Sequence, residues 1–217
     1  MAVDLGLYAI VDPAIAGGRT LDDLARRIAG SVTLVQLRDK HGSTRAMVEE
    51  ARALQQALDS VPLLVNDRID VALAAEADGV HIGQDDMAAA DARLLLGRTA
   101  IIGLSVKTMA QAQAAPLEYL DYVAVGGVFT TTSKGNTEAP IGLAGLRGIA
   151  QAIRARKPGF PICAIAGINE SNAADVIAAG ADGVAVISAL SLAPDPASAA
   201  KSLRDVVGDA LARRSRA

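Results

Sequence analysis

Short apolar segments alternate with longer amphipathic segments along the whole chain, and this alternation constrains the fold more than any other feature of the sequence. The short segments are rich in Val, Ile and Leu, which favours buried parallel strands, and the alanine-rich segments between them are typical of helices. The order therefore predicts repeated βα units. The predicted strands are Leu7–Val11, Leu34–Leu37, Leu63–Val65, Gly79–Ile82, Ala100–Leu104, Tyr122–Gly126, Ile162–Ala166 and Gly183–Ile187. The predicted helices are Leu21–Ala29, Thr44–Leu58, Ile69–Ala75, Met87–Leu96, Met109–Ala115, Leu143–Arg156, Asn172–Ala179 and Ala197–Arg213.

Eight such units in 217 residues predict a single α/β domain over residues 1–217, folded as a (βα)8 TIM barrel. An open doubly wound sheet is the alternative. Polar residues or glycine follow most of the predicted strands, which favours the barrel, because a closed barrel brings all strand ends to one mouth.

An aspartate recurs in the turn between a helix and the next strand, at Asp78, Asp121 and Asp182. Such αβ turns lie on the face of a barrel opposite the active site. We therefore interpret these three aspartates as turn and capping residues and exclude them as ligands.

A cationic face ends the second predicted strand. Alternate side chains of a strand share a side, so Gln36, Arg38 and Lys40 point the same way. A solvated sheet edge would explain this pattern, but parallel barrel strands have no exposed edge. The face therefore predicts an anion site, in which Arg offers a planar fork to phosphate oxygens and Lys a point charge.

Two carboxylates, Asp67 and Asp86, close the neighbouring third and fourth strands. Two carboxylates together with phosphate oxygens and waters suit Mg²⁺, which prefers oxygen ligands. The alternative is that each aspartate caps the helix that follows it, and Asp85 would compete with Asp86 for that role.

Hydroxyls and glycines end the remaining strands. Ser105 follows the fifth strand. Residues 127–136 after the sixth strand form a polar loop of hydroxyls followed by Lys134 and Gly135, and the loop is long enough to act as a lid. A flexible connector would have a similar composition. Gly167 ends the seventh strand and Ser188 the eighth, where barrel loops and a short extra helix often bind phosphate through backbone N–H groups.

The remaining reactive side chains favour structural roles. Cys163, the only cysteine, lies in an apolar segment and is predicted to pack as a small hydrophobe. His81 lies within a strand and is predicted to be a packed, hydrogen-bonded histidine, whereas His41 is predicted to face solvent. The net charge of −3 gives no general attraction for nucleic acid or acidic membranes, and no apolar segment is long enough to span a bilayer. We therefore expect a cytoplasmic protein.

Four of these segments together resemble the signatures of the thiamine phosphate synthase family, and the resemblance runs from about Leu7 to Leu190. The segments are Gln36-Leu37-Arg38-Asp39-Lys40, Val65-Asn66-Asp67-Arg68, residues 79–86 (GVHIGQDD) and residues 183–188 (GVAVIS). The resemblance implies a (βα)8 barrel that joins a hydroxymethylpyrimidine diphosphate to a thiazole phosphate and releases diphosphate.

The resemblance also implies roles for individual residues. The pyrimidine diphosphate would lie on Gln36, Arg38, Lys40, Asn66, Ser105 and Lys134, with Mg²⁺ on Asp67 and Asp86. The thiazole phosphate would lie on Thr131, Ser133, Gly167, Ile187 and Ser188. Arg38, Lys40, Ser105 and Lys134 would be catalytic.

The chain departs from the family pattern at a few positions. Gly127 and Thr130 stand where the family commonly has proline, Ser133 replaces a usual threonine, and Ala166 takes the first position of a usual Gly-Gly pair. These changes are expected to affect lid closure and the affinity for thiazole phosphate.

Two other functions are compatible with such a barrel. A related thiazole tautomerase would transfer a proton without a diphosphate, and the cationic face and both aspartates argue against it. A non-catalytic barrel that binds a phosphorylated metabolite is the other alternative. In each case the expected partners are small molecules, with a homo-oligomer possible.

Overall fold

The computed structural model describes residues 3–131 and 139–216, and its strands close into a barrel. The strands are β1 Leu7–Val11, β2 Leu34–Leu37, β3 Leu63–Asn66, β4 Gly79–Ile82, β5 Ile101–Val106, β6 Tyr122–Val125, β7 Ile162–Ile165 and β8 Gly183–Val186. Each strand pairs in parallel with the next, and β8 pairs with β1. The predicted (βα)8 barrel is confirmed, and the open-sheet alternative is wrong because the closing pair between β1 and β8 leaves no edge.

Helices follow the strands and surround the barrel. They are α1 Leu21–Ile28, α2 Thr44–Leu58, α3 Ile69–Ala75, α4 Ala89–Leu96, α5 Met109–Ala114, α6 Gly142–Arg156, α7 Ala173–Ala178, α8 Ser188–Ser191 and α9 Pro196–Arg214, with a 3-10 helix at Pro13–Ile15 after β1. Local chemistry sets several of their ends. The Asp195 carboxylate accepts the Ala197 and Ser198 amides, and Pro196 takes the first helical position of α9.

Several element boundaries near the barrel mouth differ from the prediction by one or two residues, and those of β5 and α4 concern the site most directly. β5 continues to Val106, so Ser105 lies within the strand, paired with Ala124 of β6, rather than after it. α4 begins at Ala89 instead of Met87, because residues 83–88 form a turn in which the Asp86 carboxylate accepts the Gly83 amide.

Strand side chains divide between two apolar layers. Leu7, Ala9 and Val11 of β1 pack toward the helices, while Tyr8 and Ile10 point into the barrel. Cys163 also lies inside the barrel, fully buried and free, which confirms its predicted packing role. The interior is thus mainly apolar, and polar groups within it need partners.

The base of the barrel carries a repeated side-chain cap. The Asp78 carboxylate accepts the Leu63 amide at 2.8 Å, Asp121 accepts Ile102 at 2.8 Å, and Asp182 accepts Ile162 at 2.9 Å. Each aspartate precedes an even-numbered strand and holds an amide at the start of the preceding odd-numbered strand, so the predicted capping role is confirmed. Thr33, before β2, does the same for the Leu7 amide at 3.1 Å. This fourth copy was not predicted, because its residue type differs.

No helix within residues 3–131 and 139–216 combines the length and the apolar character that crossing a membrane requires.

Candidate active site

Arg38 lies just past β2 at the mouth of the barrel, where it forms an ion pair with Asp12. Asp12 follows β1, and its side chain is only 4% exposed. The Asp12 carboxylate also accepts the Ala14 amide at 2.9 Å, which caps the 3-10 helix. Asp12 was not among the predicted site residues. Its position directly after a strand, next to β2 in the barrel, is the signal that could have found it.

Lys40 forms an ion pair with Asp67, so the cationic face meets the predicted metal site. Asp67 follows β3 with a φ of +62°, a conformation that aspartate tolerates better than most residues. Its amide donates to the His81 carbonyl at 2.8 Å, which fixes the turn against β4.

The Asp67 and Asp86 carboxylates are neighbours. Burial raises the pKa of Asp67; the Lys40 ammonium opposes this shift, and the Asp86 carboxyl adds to it. Neither aspartate caps a helix, because α3 begins after Arg68 and α4 after Ala88, both without a side-chain cap. The capping alternative is therefore wrong for both residues.

This pair of carboxylates suits Mg²⁺ better than a cation that needs a complete protein cage. Among the described residues no group of three or more His, Cys, Asp or Glu side chains could hold a metal ion. Mg²⁺ is commonly bound by one or two carboxylates, with substrate phosphates and waters as its remaining ligands. The residues present fit that arrangement.

A cavity of about 430 Å³ opens on the other side of the mouth, between the ends of β5 to β8. Five predicted substrate residues line it, namely Ser105, Thr131, Gly167, Ile187 and Ser188. Lys107 is the one charged residue among the described lining and was not predicted. Lys107 directly follows β5, and polar residues directly follow other strands of the barrel. Its position in the sequence could therefore have indicated it.

The turn after β7 is closely packed and strained. Gly167 has a φ of +66°, and a Cβ there would lie 2.5 Å from the Thr130 carbonyl oxygen. Ala166 beside it has a φ of +97°, which favours glycine. The Phe129 amide donates to the Ala166 carbonyl at 3.1 Å, so the start of the β6 loop lies directly on this turn.

Inside the barrel, a chain of hydrogen bonds joins the two sides of the mouth. The Gln36 amide nitrogen donates to the Tyr8 hydroxyl, and the Tyr8 and Tyr122 hydroxyls are 3.0 Å apart. His81 Nδ1 lies 2.9 Å from the Tyr122 hydroxyl, and His81 Nε2 lies 2.8 Å from Ser105 Oγ. The prediction of a packed, hydrogen-bonded His81 is confirmed, and His41 is exposed as expected. Burial raises the pKa of both tyrosines, so their hydroxyls stay protonated at neutral pH.

The predicted residues thus fall into two groups at one mouth. Gln36, Arg38, Lys40, Asn66, Asp67 and Asp86 belong to β2, β3, β4 and the turns after them, and none of them lines the cavity. Asn66 is the last residue of β3 and lies in register with His81. Ser133 and Lys134 fall outside the described residues, and their roles stay predictions.

A closed parallel barrel with carboxylates, cations and a cavity at the carboxyl ends of its strands defines a (βα)8-barrel enzyme. Residues 7–190 match the family model described as thiamine monophosphate synthase. The chain is 48% identical to a thiamine-phosphate synthase of Agrobacterium fabrum over 98% of both chains, and 48% identical to one of Chloroflexus aurantiacus over 94% of both. The chain therefore belongs to the thiamine monophosphate synthase family and is a transferase of thiamine biosynthesis.

Solved structures agree with this assignment. A thiamine phosphate pyrophosphorylase from Pyrococcus furiosus superposes with a TM-score of 0.83 at 36% identity, covering 97% of this chain and 98% of that one. A 3-hexulose-6-phosphate synthase superposes with a TM-score of 0.63 at 17% identity, covering 93% of this chain and 99% of that one. The second likeness concerns the fold alone.

Proposed function

We propose that this chain couples 4-amino-2-methyl-5-(diphosphooxymethyl)pyrimidine with 4-methyl-5-(2-phosphoethyl)thiazole to give thiamine phosphate and diphosphate. The observation that carries this proposal is the contact of Lys40 with Asp67, which puts a cation and a carboxylate of two different strand ends at one point of the mouth. A diphosphate with its metal needs both kinds of group. The cavity beside them leaves room for a second, phosphorylated substrate.

The reaction is a substitution at the exocyclic methylene carbon of the pyrimidine. The bond from this carbon to the diphosphate oxygen breaks first, and its electron pair leaves with the diphosphate. The 4-amino group donates electron density to the ring and stabilises the resulting cation. The thiazole nitrogen then attacks with its lone pair and forms the new C–N bond. No protein base is required, because that nitrogen carries no proton.

The protein's main task is to stabilise the negative charge that develops on the leaving group. Arg38, Lys40 and Lys134 would do this with their positive charges, and each such contact contributes about 2.7–4 kcal/mol to lowering a barrier. Arg38 is held ready by Asp12, so its guanidinium needs little reorganisation. Mg²⁺ held by Asp67 and Asp86 would supply further charge neutralisation on the phosphoryl oxygens.

The second substrate would occupy the cavity at β5 to β8. Gly167 lets the β6 loop pack closely on the turn beside this cavity, while Thr131 and Ser188 supply hydroxyls to the lining. Ser105 lines this cavity and also bonds to His81, so it lies between the two substrate regions. This position suits a contact with the reacting pyrimidine.

The finer assignments follow the same chemistry. We propose Mg²⁺ as the cofactor because the site offers only oxygen ligands from two carboxylates. We propose a cytoplasmic location because the single cysteine is free and buried, which suits a reducing compartment.

Mass spectrometry of the two-substrate mixture tests the proposal. We expect thiamine phosphate only when both substrates and Mg²⁺ are present. Product from the thiazole phosphate alone, in the form of an isomer, would instead indicate a tautomerase. Calorimetric binding of thiazole phosphate without any coupled product would indicate a non-catalytic barrel.

A further inference from the structure

The interior of the barrel contains several buried polar side chains that are not needed to fill its core. Gln36 and Tyr8 are each 1% exposed, and Tyr122 is fully buried. The two tyrosines lie among Leu34, Leu64 and other apolar side chains of the barrel interior. Buried polar groups are costly unless hydrogen-bonded, and a core of apolar residues would avoid that cost. A purely structural role therefore explains these residues poorly.

The backbone is shaped to let the chain of hydrogen bonds cross the barrel. A Cβ at Gly103 would overlap the Tyr122 ring and hydroxyl, so the ring lies directly over this glycine of the neighbouring strand. The Tyr122 ring stacks on His81 with centroids 5.7 Å apart, and it meets the edge of Tyr8 at 6.0 Å. The missing side chain at Gly103 is what allows Tyr122 to reach His81 on β4.

The two residues at the ends of this chain of hydrogen bonds are both expected to contact the pyrimidine substrate. Gln36 bonds to Tyr8 at one end, and Ser105, which lines the cavity, bonds to His81 at the other. Tyr8, Tyr122 and His81 are the three links between them. They would not touch the substrate in this arrangement, so any effect they have on it acts through Gln36 and Ser105.

The proton order along such a chain couples its two ends. A tyrosine hydroxyl gives one proton and accepts another, and a neutral imidazole does the same through its two nitrogens. Where each member of the hydrogen-bond chain donates once and accepts once within it, all protons point the same way. The Gln36 amide nitrogen donates to Tyr8, so the protons then point from Gln36 toward Ser105. Gln36 keeps a carbonyl oxygen for the mouth, and Ser105 keeps its hydroxyl proton.

We propose that Tyr8, Tyr122 and His81 are positioning residues that couple the Gln36 amide and the Ser105 hydroxyl, so that together they present one donor and one acceptor to the aminopyrimidine ring. This inference rests on the proposed function. A 4-aminopyrimidine edge carries one N–H donor beside one ring-nitrogen acceptor, and a pair of opposite polarity matches it. The coupling makes recognition of the ring depend on residues buried below the site.

Interrupting the chain of hydrogen bonds at Tyr122 tests the proposal. Tyr122→Phe removes one hydroxyl and keeps the ring. We expect the KM for the pyrimidine diphosphate to rise about tenfold, which corresponds to about 1.4 kcal/mol, while the calorimetric Kd for thiazole phosphate stays unchanged. Tyr119→Phe is the matched control, because Tyr119 lies on the surface outside the chain and should leave both constants unchanged.

A double-mutant cycle gives a readout that a structural role would not change. In the wild-type background, the losses in kcat/KM from Gln36→Leu and Ser105→Ala should be non-additive by about tenfold, because each variant disturbs the other end. In the Tyr122→Phe background the two fold-losses in kcat/KM should multiply, which means that the two variants act independently. If Tyr122→Phe does not fold, Tyr8→Phe interrupts the same chain one link away and replaces it in both experiments.

The outcomes separate this inference from the proposed function. Wild-type protein that makes no thiamine phosphate from both substrates would overturn the proposed function and this inference with it. Wild-type turnover with equal weakening of both substrates in Tyr122→Phe, or with non-additivity that persists in that background, would overturn the coupling alone.

Discussion

The Lys40 ammonium contacts the Asp67 carboxylate across 27 positions of sequence, at the point where β2 and β3 reach the barrel mouth. The Lys40 side chain is 47% exposed, so the pair itself adds little stability. It instead keeps a cation beside the carboxylates of Asp67 and Asp86 before any ligand arrives.

We expect Asp67→Ala and Asp86→Ala each to lower kcat by at least about 100-fold, because each removes a carboxylate that would hold Mg²⁺ at the leaving group. Raised Mg²⁺ should partly rescue at least one variant. Steady-state assays over a Mg²⁺ series measure this, with Asp85→Ala, an exposed neighbour, as the control. Full wild-type activity in EDTA would contradict the prediction.

The raised pKa of Asp67 predicts a pH dependence of stability in metal-free protein. Burial makes the folded state bind the Asp67 proton more tightly than the unfolded state, so this contribution is present below the ordinary value of 3.8 and is lost as the pH rises through the folded pKa. Asp67→Asn should therefore melt at a higher temperature than wild type at neutral pH and at a similar temperature in acid. Melting curves in EDTA test this, and a gap that does not change with pH would refute it.

Asp12→Ala should destabilise the protein by about 3–5 kcal/mol, because it leaves the Arg38 guanidinium, which is only 15% exposed, without its partner. It should also raise the KM for the pyrimidine diphosphate more than that for thiazole phosphate. Asp22→Ala breaks the exposed pair with Arg26 and should cost less than about 1 kcal/mol. Urea unfolding compares the two variants. Similar losses in the free energy of unfolding would show that the buried Asp12–Arg38 pair stabilises the fold no more than an exposed pair does.

Ala166→Gly should stabilise the protein by about 1 kcal/mol. Relief of the positive φ contributes about 1–2 kcal/mol, and the greater freedom of glycine in the unfolded chain offsets about 0.5–1 kcal/mol. The KM for thiazole phosphate should fall as well, since the turn lines its cavity. Ala53→Gly, at an exposed position within α2, should instead destabilise by about 0.5–1 kcal/mol. Thermal melting measures both effects. Shifts of the melting temperature in the same direction for both variants would contradict strain at Ala166.

Asp78→Ala should lower stability by about 1–3 kcal/mol without changing kcat/KM, because it frees the Leu63 amide at the base of the barrel, far from the mouth. Asp182→Ala should cost more, since Asp182 also pairs with Arg154 and Arg214. Urea unfolding and steady-state kinetics on the same samples measure both effects. Loss of activity in folded Asp78→Ala would contradict a purely structural role for Asp78.

The fold could be predicted from the sequence because each buried parallel strand is a continuous apolar segment with its own helix after it. Leu7–Val11, Leu34–Leu37 and Thr44–Leu58 match the structure at both ends. The misjudged start of α4 depended on the Asp86 side chain, which folds back onto Gly83 instead of continuing toward the helix.

The site could be predicted only as far as strand ends are visible in the sequence. Asp67 and Asp86 stood out in this way, but an aspartate in that position suits a metal or a cap equally, and only the structure excluded the cap. The Arg38–Asp12 pair and the Tyr122–His81 contact depend on the register between strands. No local pattern records that register, so these contacts could not be foreseen.

The four side-chain caps at the base fasten the strands in couples: β1 with β2, β3 with β4, β5 with β6 and β7 with β8. The base of this barrel thus has fourfold pseudosymmetry, whereas the residues that follow its strands at the mouth differ from strand to strand. Substitutions that reshape the catalytic end leave those fasteners untouched, so the chemistry of such a scaffold can diversify without dismantling its architecture.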